Sequence, residues 1–509
     1  MDPSTVLDPT TDEFREAGHR LIDWIADHFD GIDEVPVMAR VEPGEIAAQF
    51  RPSPPETGRR YAQILEEFET KILPGVTHWN HPGFFAYFSV TGSQAGILGE
   101  LLSGALNVNG MLWKSCPAAT ELEHVVLDWL RRALALPEGW FGIINDTASI
   151  NSFLALAAAR EALGLDVRGE GMTGRDLPPL RVYCSDQAHS SIEKGALALG
   201  FGARGVVKIP SDESYAMRAE ALEEAIARDR KDGALPCAVA ATVGTTATTS
   251  SDPVDAIAAI AERERIWLHV DGAYAGSAMI CPELRSLWSG IENADSVVVN
   301  PHKWLFTPVD CSVLYTRRPD ELKKTFSLIP EYLKTTDAAD VNYMDYGLQL
   351  GRRFRALKLW MIFEHYGLER LRAAQRGHIE LARRLEEALR RRSDVELVAP
   401  RPLSVVVFRR LVRDAAGKVD EQASETASAE LVERINDSGR AFLATTRLRG
   451  TFAIRVAIGN GMTEWRHVEE ILHALDATEG VVTPSSGAPS GATSSSPGRE
   501  PGGRGEGAA

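Results

Sequence analysis

Lys303 closes the segment Ser296-Val-Val-Val-Asn-Pro-His-Lys303, a buried-strand pattern broken by Asn300-Pro301. An apolar strand that ends by delivering one amine beside a histidine suits Schiff-base chemistry with a carbonyl group. A single lysine after a strand is more often a solvated loop residue, so the reading depends on its neighbours. Other strand patterns also end in reactive groups. Tyr183-Cys-Ser-Asp-Gln-Ala-His189 places a histidine beyond one, and Thr242-Val-Gly-Thr-Thr246 ends another in hydroxyls. Leu268-His-Val-Asp271-Gly-Ala273 ends a third in a carboxylate followed by small residues. Each is ordinary alone, since an aspartate after a strand is commonly a turn or cap residue. Together, at the strand ends where open α/β sheets bind ligands, they describe one site.

A further part is Asn145-Asp-Thr-Ala148-Ser149, followed by the helical run Ile150–Leu163. Short hydroxyl residues cap the free N–H groups of a helix start, and those N–H groups also bind anions. The segment is not a P-loop, because G-x-x-x-x-G-K-[ST] is absent. A lysine for an aldehyde, an acid for a pyridine nitrogen, a flat side chain for a ring and a helix start for a phosphate compose a pyridoxal 5'-phosphate site. Asp271 is the acid, because opposite charge keeps a ring nitrogen protonated. His189 is the flat side chain that can stack on the ring.

The elements that must position these groups follow from apolar spacing. Residues 12–30 place Phe14, Leu21, Ile22, Ile25 and Phe29 at helical spacing. After the Pro-rich break at 51–55, a second helix carries Ile64, Leu65, Phe68, Ile72 and Leu73 on one side. Two amphipathic helices need a larger body or a second subunit to cover their apolar sides. Strands are expected at 180–184, 237–243, 266–270, 296–299 and 312–315, with helices between them such as Val254–Glu264. Such near-continuous apolar strands predict an α/β domain with a mostly parallel sheet covered on both faces. Residues 353–392 read as one long helix, and strands at 395–398, 403–408 and 452–457 with a helix at 464–475 predict a small α+β domain. The expected organisation is an arm over 1–90, a large domain over 91–360, a small domain over 361–478 and a disordered Pro/Ser/Gly-rich tail over 479–509.

Composition narrows the class. A formal net charge of −16 disfavours nucleic acid and anionic membrane as partners. The 5 cysteines are scattered without a C-x-x-C pair, so neither a disulfide framework nor a zinc ribbon is expected, and no metal site is. The start is polar and acidic and no apolar run reaches membrane-spanning length, so a cytoplasmic protein is expected.

At these residues the chain resembles the pyridoxal-phosphate-dependent group II decarboxylases, especially the aromatic-L-amino-acid decarboxylase family. The resemblance runs over about residues 12–475 and is most specific at Asn300-Pro-His-Lys-Trp304, His269-Val-Asp-Gly-Ala273, Ser185-Asp-Gln-Ala-His189, Pro74-Gly-Val-Thr-His-Trp79 and Leu350-Gly-Arg-Arg-Phe-Arg355. It implies a fold-type I architecture with a seven-stranded sheet, and a homodimer whose N-terminal arms wrap around the partner. It implies that Lys303 carries the cofactor as an internal aldimine, that Asp271 pairs with the pyridine nitrogen and that His189 stacks on the ring. By the same resemblance Ala148, Ser149, Asn300 and His302 surround the phosphate, Thr246 lies near cofactor and substrate, and Ala273 packs beneath the ring. Trp79, Tyr87 and Phe88 correspond to an aromatic substrate pocket, and Gly351 to a position that leaves space for larger rings.

Tyr332, in Ser327-Leu-Ile-Pro-Glu-Tyr332 and followed by polar residues 335–340, resembles the proton donor on a mobile loop that closes over the site. Relatives that oxidise the substrate to an aldehyde tend to carry phenylalanine there, or asparagine in place of the stacking histidine. Ser89-Val90-Thr91 and Asp146 depart from the animal enzymes, which have a Pro-Thr pair and commonly a glycine. The first departure touches residues connected with the substrate carboxylate. The expected activity is decarboxylation of tryptophan, tyrosine, phenylalanine or dopa to the amine. The rivals are aldehyde synthesis and decarboxylation of a non-aromatic amino acid such as histidine.

Overall fold

The computed structural model describes Leu7, residues 10–328 and residues 341–477. Tyr332 with its loop segment, and the expected tail, lie outside the described residues. The large sheet has seven strands, in the spatial order β1 (Phe141–Asn145), β7 (Ser312–Thr316), β6 (Ser296–Val299), β5 (Trp267–Asp271), β4 (Leu235–Thr242), β2 (Leu180–Ser185) and β3 (Val206–Ile209). All run parallel except β7, which is antiparallel to both neighbours. Val297, Val299, Val313 and Tyr315 face one core, which includes Val126, Leu130, Ile257 and Ala261 from the helices Pro117–Ala133 and Val254–Glu264. Val182, Ala238, Ala240 and Leu314 face the other, with Leu154 and Ile192 from the helices Ala148–Glu161 and Ser190–Ala198. Burial on both faces is why these strands read as unbroken apolar runs.

The strands β1 and β3 escaped the apolar pattern. β3 is short, with Lys208 exposed and Val206 and Val207 half-buried. β1 contains Gly142, where a Cβ would meet Tyr315 Cε1 at 2.7 Å, so close strand packing there demands the residue that weakens the strand signal. The expected single helix over 353–392 is corrected to two helical segments within Arg355–Arg390. They meet at Gly367, whose φ of 62° and ψ of 167° are non-helical and accessible to glycine.

The second sheet has the order β10 (Ala444–Leu448), β11 (Thr451–Ala457), β9 (Val405–Arg410) and β8 (Val395–Leu397), all antiparallel. Ile454, Val456 and Phe408 pack with the helices Glu421–Ser438 and Trp465–Asp476. Val405, Val407, Ala453 and Ala457 point the other way, into the core that holds the large sheet. Neither β10 nor the helix Glu421–Ser438 was expected, because β10 is Thr-rich and the helix begins in a polar stretch without apolar spacing.

The N-terminal helix Asp12–Asp30 buries none of its residues against this chain and leaves Phe14 64% exposed. The expected second helix is α-helical over Tyr61–Glu67, widens to a π turn over Phe68–Ile72 and tightens over Leu73–Gly75. Leu98, Leu101, Leu102 and Leu106, on the helix Gln94–Leu106, are exposed as well. Among the described residues no helix is long and apolar enough to cross a membrane.

Candidate active site

Pairing of β4, β5 and β6 sets Thr242 beside Asp271 and Asp271 beside Val298. The turn Thr242–Thr246, the carboxylate of Asp271 and the turn Asn300–Lys303 therefore emerge at one edge. Because β7 runs backwards, its first residue, Ser312, reaches that same edge opposite Asn145 at the end of β1.

Lys303 lies in the short helical turn Pro301–Trp304, with Nζ 5.3 Å from the centroid of Phe88. Burial lowers its pKa, the Asp271 charge opposes that shift, and the charge of Arg455 adds to it. Asp271 is buried and its Oδ1 accepts the N–H of Ala273 at 3.0 Å, which holds the carboxylate at the strand end. His189 caps the helix Ser190–Ala198, accepting the Ser191 N–H at Nδ1 at 3.2 Å, with the residue as a whole exposed and its ring partly enclosed. Its pKa is lowered first by burial of the ring, with Asp271 pulling the other way. Thr246 is exposed beside this group and Ala273 is buried within it.

At the helix start, Thr147 Oγ1 accepts the Ile150 N–H and the Thr147 carbonyl accepts that of Asn151. The N–H groups of Ala148 and Ser149 are left without helical acceptors, as an anion site needs. Asp146 is already engaged, accepting the Thr147 N–H and, at 3.1 Å, Gln349 Nε2. His302 Nδ1 accepts the Cys311 N–H at 2.9 Å, and burial pushes the imidazole pKa down to about 3. The neutral ring therefore keeps its proton on Nε2 as a donor.

Trp79 stacks on Tyr87 at 5.7 Å and on Phe84 at 4.5 Å, and both Trp79 and Tyr87 are exposed. Phe88 is buried and begins a column in which it stacks on Tyr274 at 3.7 Å and Tyr274 on Trp304 at 4.7 Å. Trp304 Nε1 donates to His378 Nδ1 at 2.9 Å, so the residue after Lys303 is locked to the long helical region. The segment before Phe88 is tied to the second sheet: Phe85 N donates to Phe442 O, and Ala457 N to Phe85 O. Gly83 permits this approach, since a Cβ there would lie 2.1 Å from Arg440 O. Gly351 sits apart from these aromatic rings; a Cβ there would meet only Asn109 Nδ2 within 4 Å.

One functional group was missed in the sequence. Arg455 interrupts Ala453-Ile454-Arg455-Val456-Ala457, and strand alternation turns it with Ala453 and Ala457 toward the large sheet. Its guanidinium lies 4.5 Å over Phe88; Nε donates to Thr246 O at 2.7 Å and Nη1 to Tyr87 O. Among the described residues Nη2 is buried with no partner, and burial drops the pKa to about 10. A buried cation with an open donor is costly unless an anion meets it. A lone arginine inside an apolar strand pattern was the signal available.

The two-sheet architecture, with one reversed strand next to the edge of the large sheet and a lysine after β6, is that of a fold-type I pyridoxal-phosphate enzyme. Residues 43–411 match the pyridoxal-dependent decarboxylase conserved domain. The chain is 41% identical over 477 residues to tyrosine decarboxylase 4 of Petroselinum crispum, covering 92% of both chains. It is 41% identical over 478 residues to a phenylacetaldehyde synthase of Arabidopsis thaliana, covering 91% of this chain and 96% of that one. The crystal structure of Oryza sativa TDC with PLP and tryptamine superposes with a TM-score of 0.89 at 36% identity, over 93% of this chain and 99% of that one. The chain belongs to the pyridoxal-dependent decarboxylase family. It is a carboxy-lyase that uses pyridoxal 5'-phosphate, and the residues fit that group: an amine of lowered pKa, a carboxylate beside it and an open helix start.

The sign of the Lys303 shift is testable. A lowered pKa means more neutral amine at a given pH, so in cofactor-free protein at about pH 8 an amine-selective reagent modifies Lys303 ahead of the exposed Lys418. Asp271→Asn removes the charge that raises the Lys303 pKa, and moves half-labelling to lower pH. Peptide mass spectrometry across a pH series reads both; labelling of Lys303 only in step with Lys418 contradicts the burial argument.

Proposed function

We propose that this enzyme decarboxylates an aromatic L-amino acid (tryptophan, tyrosine, phenylalanine or dopa) to the amine and carbon dioxide, as a homodimer in the cytoplasm. The observation that carries the reading is Arg455 Nη2, without a partner among the described residues, held over Phe88 beside Lys303 and joined through Tyr87 to Trp79. That arrangement offers a cation to a carboxylate and stacked aromatic faces to a ring.

Lys303 would hold the cofactor, with Asp271 at its ring nitrogen, His189 over one face and Ala273 beneath the other. Ala148, Ser149, Asn300 and His302 would hold its phosphate, with Thr246 near cofactor and substrate. When bound, pyridoxal 5'-phosphate supplies an aldehyde for the substrate amine and a ring that accepts the electron pair left at the α-carbon as carbon dioxide departs. The chain's own residues orient and protonate. Arg455 Nη2 fixes the α-carboxylate, Trp79, Tyr87 and Phe88 receive the side chain, and the Tyr332 phenol gives its proton to the α-carbon. Gly351, apart from those rings within one chain, would leave room for a larger ring only where the second subunit of the homodimer brings it to the site.

A second reading, favoured by the phenylacetaldehyde synthase relative, consumes dioxygen and water and yields aldehyde, carbon dioxide, ammonia and hydrogen peroxide. Purified enzyme incubated with the protein amino acids, dopa and 5-hydroxytryptophan separates the two. Amine without peroxide is expected, with Tyr332→Phe shifting product toward aldehyde and peroxide. Peroxide formed by the unaltered enzyme in step with carbon dioxide supports the second reading, and no product from any aromatic amino acid overturns both.

Arg455→Met is expected to lower kcat/KM about 100-fold while the visible cofactor band persists, from the loss of a charge-assisted contact to the carboxylate. An unchanged kcat/KM removes Arg455 from the site. The homodimer is supported by the exposed apolar faces of Asp12–Asp30 and Gln94–Leu106, which a lone chain would leave in water. Sedimentation at micromolar concentration is expected to give twice the 55.5 kDa chain mass, and a monomer there rules the homodimer out.

A further inference from the structure

Four buried side chains from four separate elements form a line of hydrogen bonds across the sheet edge. Asn145 Nδ2 donates to Asn151 Oδ1 at 2.7 Å, Asn151 Nδ2 donates to Ser312 Oγ at 2.7 Å, and Ser312 Oγ donates to Asn300 Oδ1 at 2.5 Å. Asn151 and Ser312 have no exposed surface, and Asn145 and Asn300 almost none. Asn145 ends β1, Asn151 stands in the helix Ala148–Glu161, Ser312 begins β7, and Asn300 follows β6. The line exists because β7 is reversed and so presents its first residue between Asn151 and Asn300.

We propose that Asn151 and Ser312 are positioning residues for the anion-binding end of the site and act through Asn300. The inference rests on the cofactor reading above. A primary amide has one accepting and one donating end, and a hydroxyl has a single proton to give. If Asn300 turned over alone, Ser312 Oγ would accept from both amides and its own proton would lose Asn300 as acceptor, so the proton that Ser312 donates is what favours the observed direction. In the observed direction Asn300 Oδ1 is occupied by Ser312, so the end of the amide turned away from the line is Nδ2. In the reversed direction the free end of Asn300 is an oxygen. Phosphate oxygens can accept from Nδ2 and are repelled by Oδ1, so only the observed direction suits a phosphate. Full burial excludes competing water from the middle of the line and strengthens each bond. None of the sequence motifs that single out Lys303 includes Asn151 or Ser312.

The test compares pyridoxal 5'-phosphate with pyridoxal, which keeps the aldehyde and lacks the phosphate. Cofactor-free full-length protein is titrated with each, following the visible band and its loss on borohydride treatment. Ser312→Ala frees Asn300 to turn over, and Asn151→Ala breaks the line one step earlier. Each is expected to weaken the phosphorylated cofactor about tenfold, the loss of one hydrogen bond to a charged group, with pyridoxal within about twofold of the unaltered protein. Ser312→Thr keeps the hydroxyl and is expected to restore phosphate selectivity. Unchanged affinity for pyridoxal 5'-phosphate in both alanine variants overturns the inference. So does equal weakening of both ligands, which marks a structural role only. If the unaltered protein binds the two ligands equally, the anion-site reading itself fails, a result distinct from either.

Discussion

Two cations lie close to one aromatic ring, and the rest of the site is organised around that fact. Lys303 Nζ lies 5.3 Å and the Arg455 guanidinium 4.5 Å from the centroid of Phe88. Burial depresses both pKa values, and the charge of Arg455 depresses that of Lys303 further. Like charges held together out of water are unfavourable unless anions join them. Asp271 supplies one anion from the protein; ligand carboxylate and phosphate groups are the natural source of the others. The low pKa of the amine and the affinity for anions thus share one cause.

Holding such a cluster requires rigid surroundings, and these come from segments far apart in the chain. The column Phe88–Tyr274–Trp304 stacks a residue before the large sheet on one after β5 and another after β6. The Tyr274 hydroxyl meets Ser404 Oγ at 2.6 Å, which joins the column to the second sheet just before β9. Asp252 braces the turn that carries Thr246. Its two oxygens accept the Thr242 and Met217 N–H groups at 2.7 Å, and full burial raises its carboxyl to about 7. Arg455 itself links Thr246 to Tyr87, so the second sheet reaches into the site as well as supporting it.

Much of this was legible because strand ends are local features. Apolar runs located β2, β4, β5, β6 and β7 directly; His189, Thr246 and Lys303 follow parallel strands among them, and Asp271 ends one. β1 was hidden by the glycine that its packing against Tyr315 requires, and the break at Gly367 by a helical pattern that continues on both sides. The aromatic group Trp79–Phe88 was visible as residue types, but its position over the lysine turn depends on backbone pairing with Phe442 and Ala457.

The sequence by itself determined the reactive groups and their local settings: an amine after β6, a carboxylate ending β5, a hydroxyl-capped helix start at residues 147–149. Burial and hydrogen bonding along a strand or helix impose short periods, and short periods can be read without a fold. Only the tertiary structure decided that Arg455 joins Lys303 at the ring of Phe88, and that Asn151 and Ser312 hold Asn300. Those pairings depend on the reversal of β7 and on which face the second sheet turns to the first. Both are long-range choices made by burying whole layers, and no local period records them.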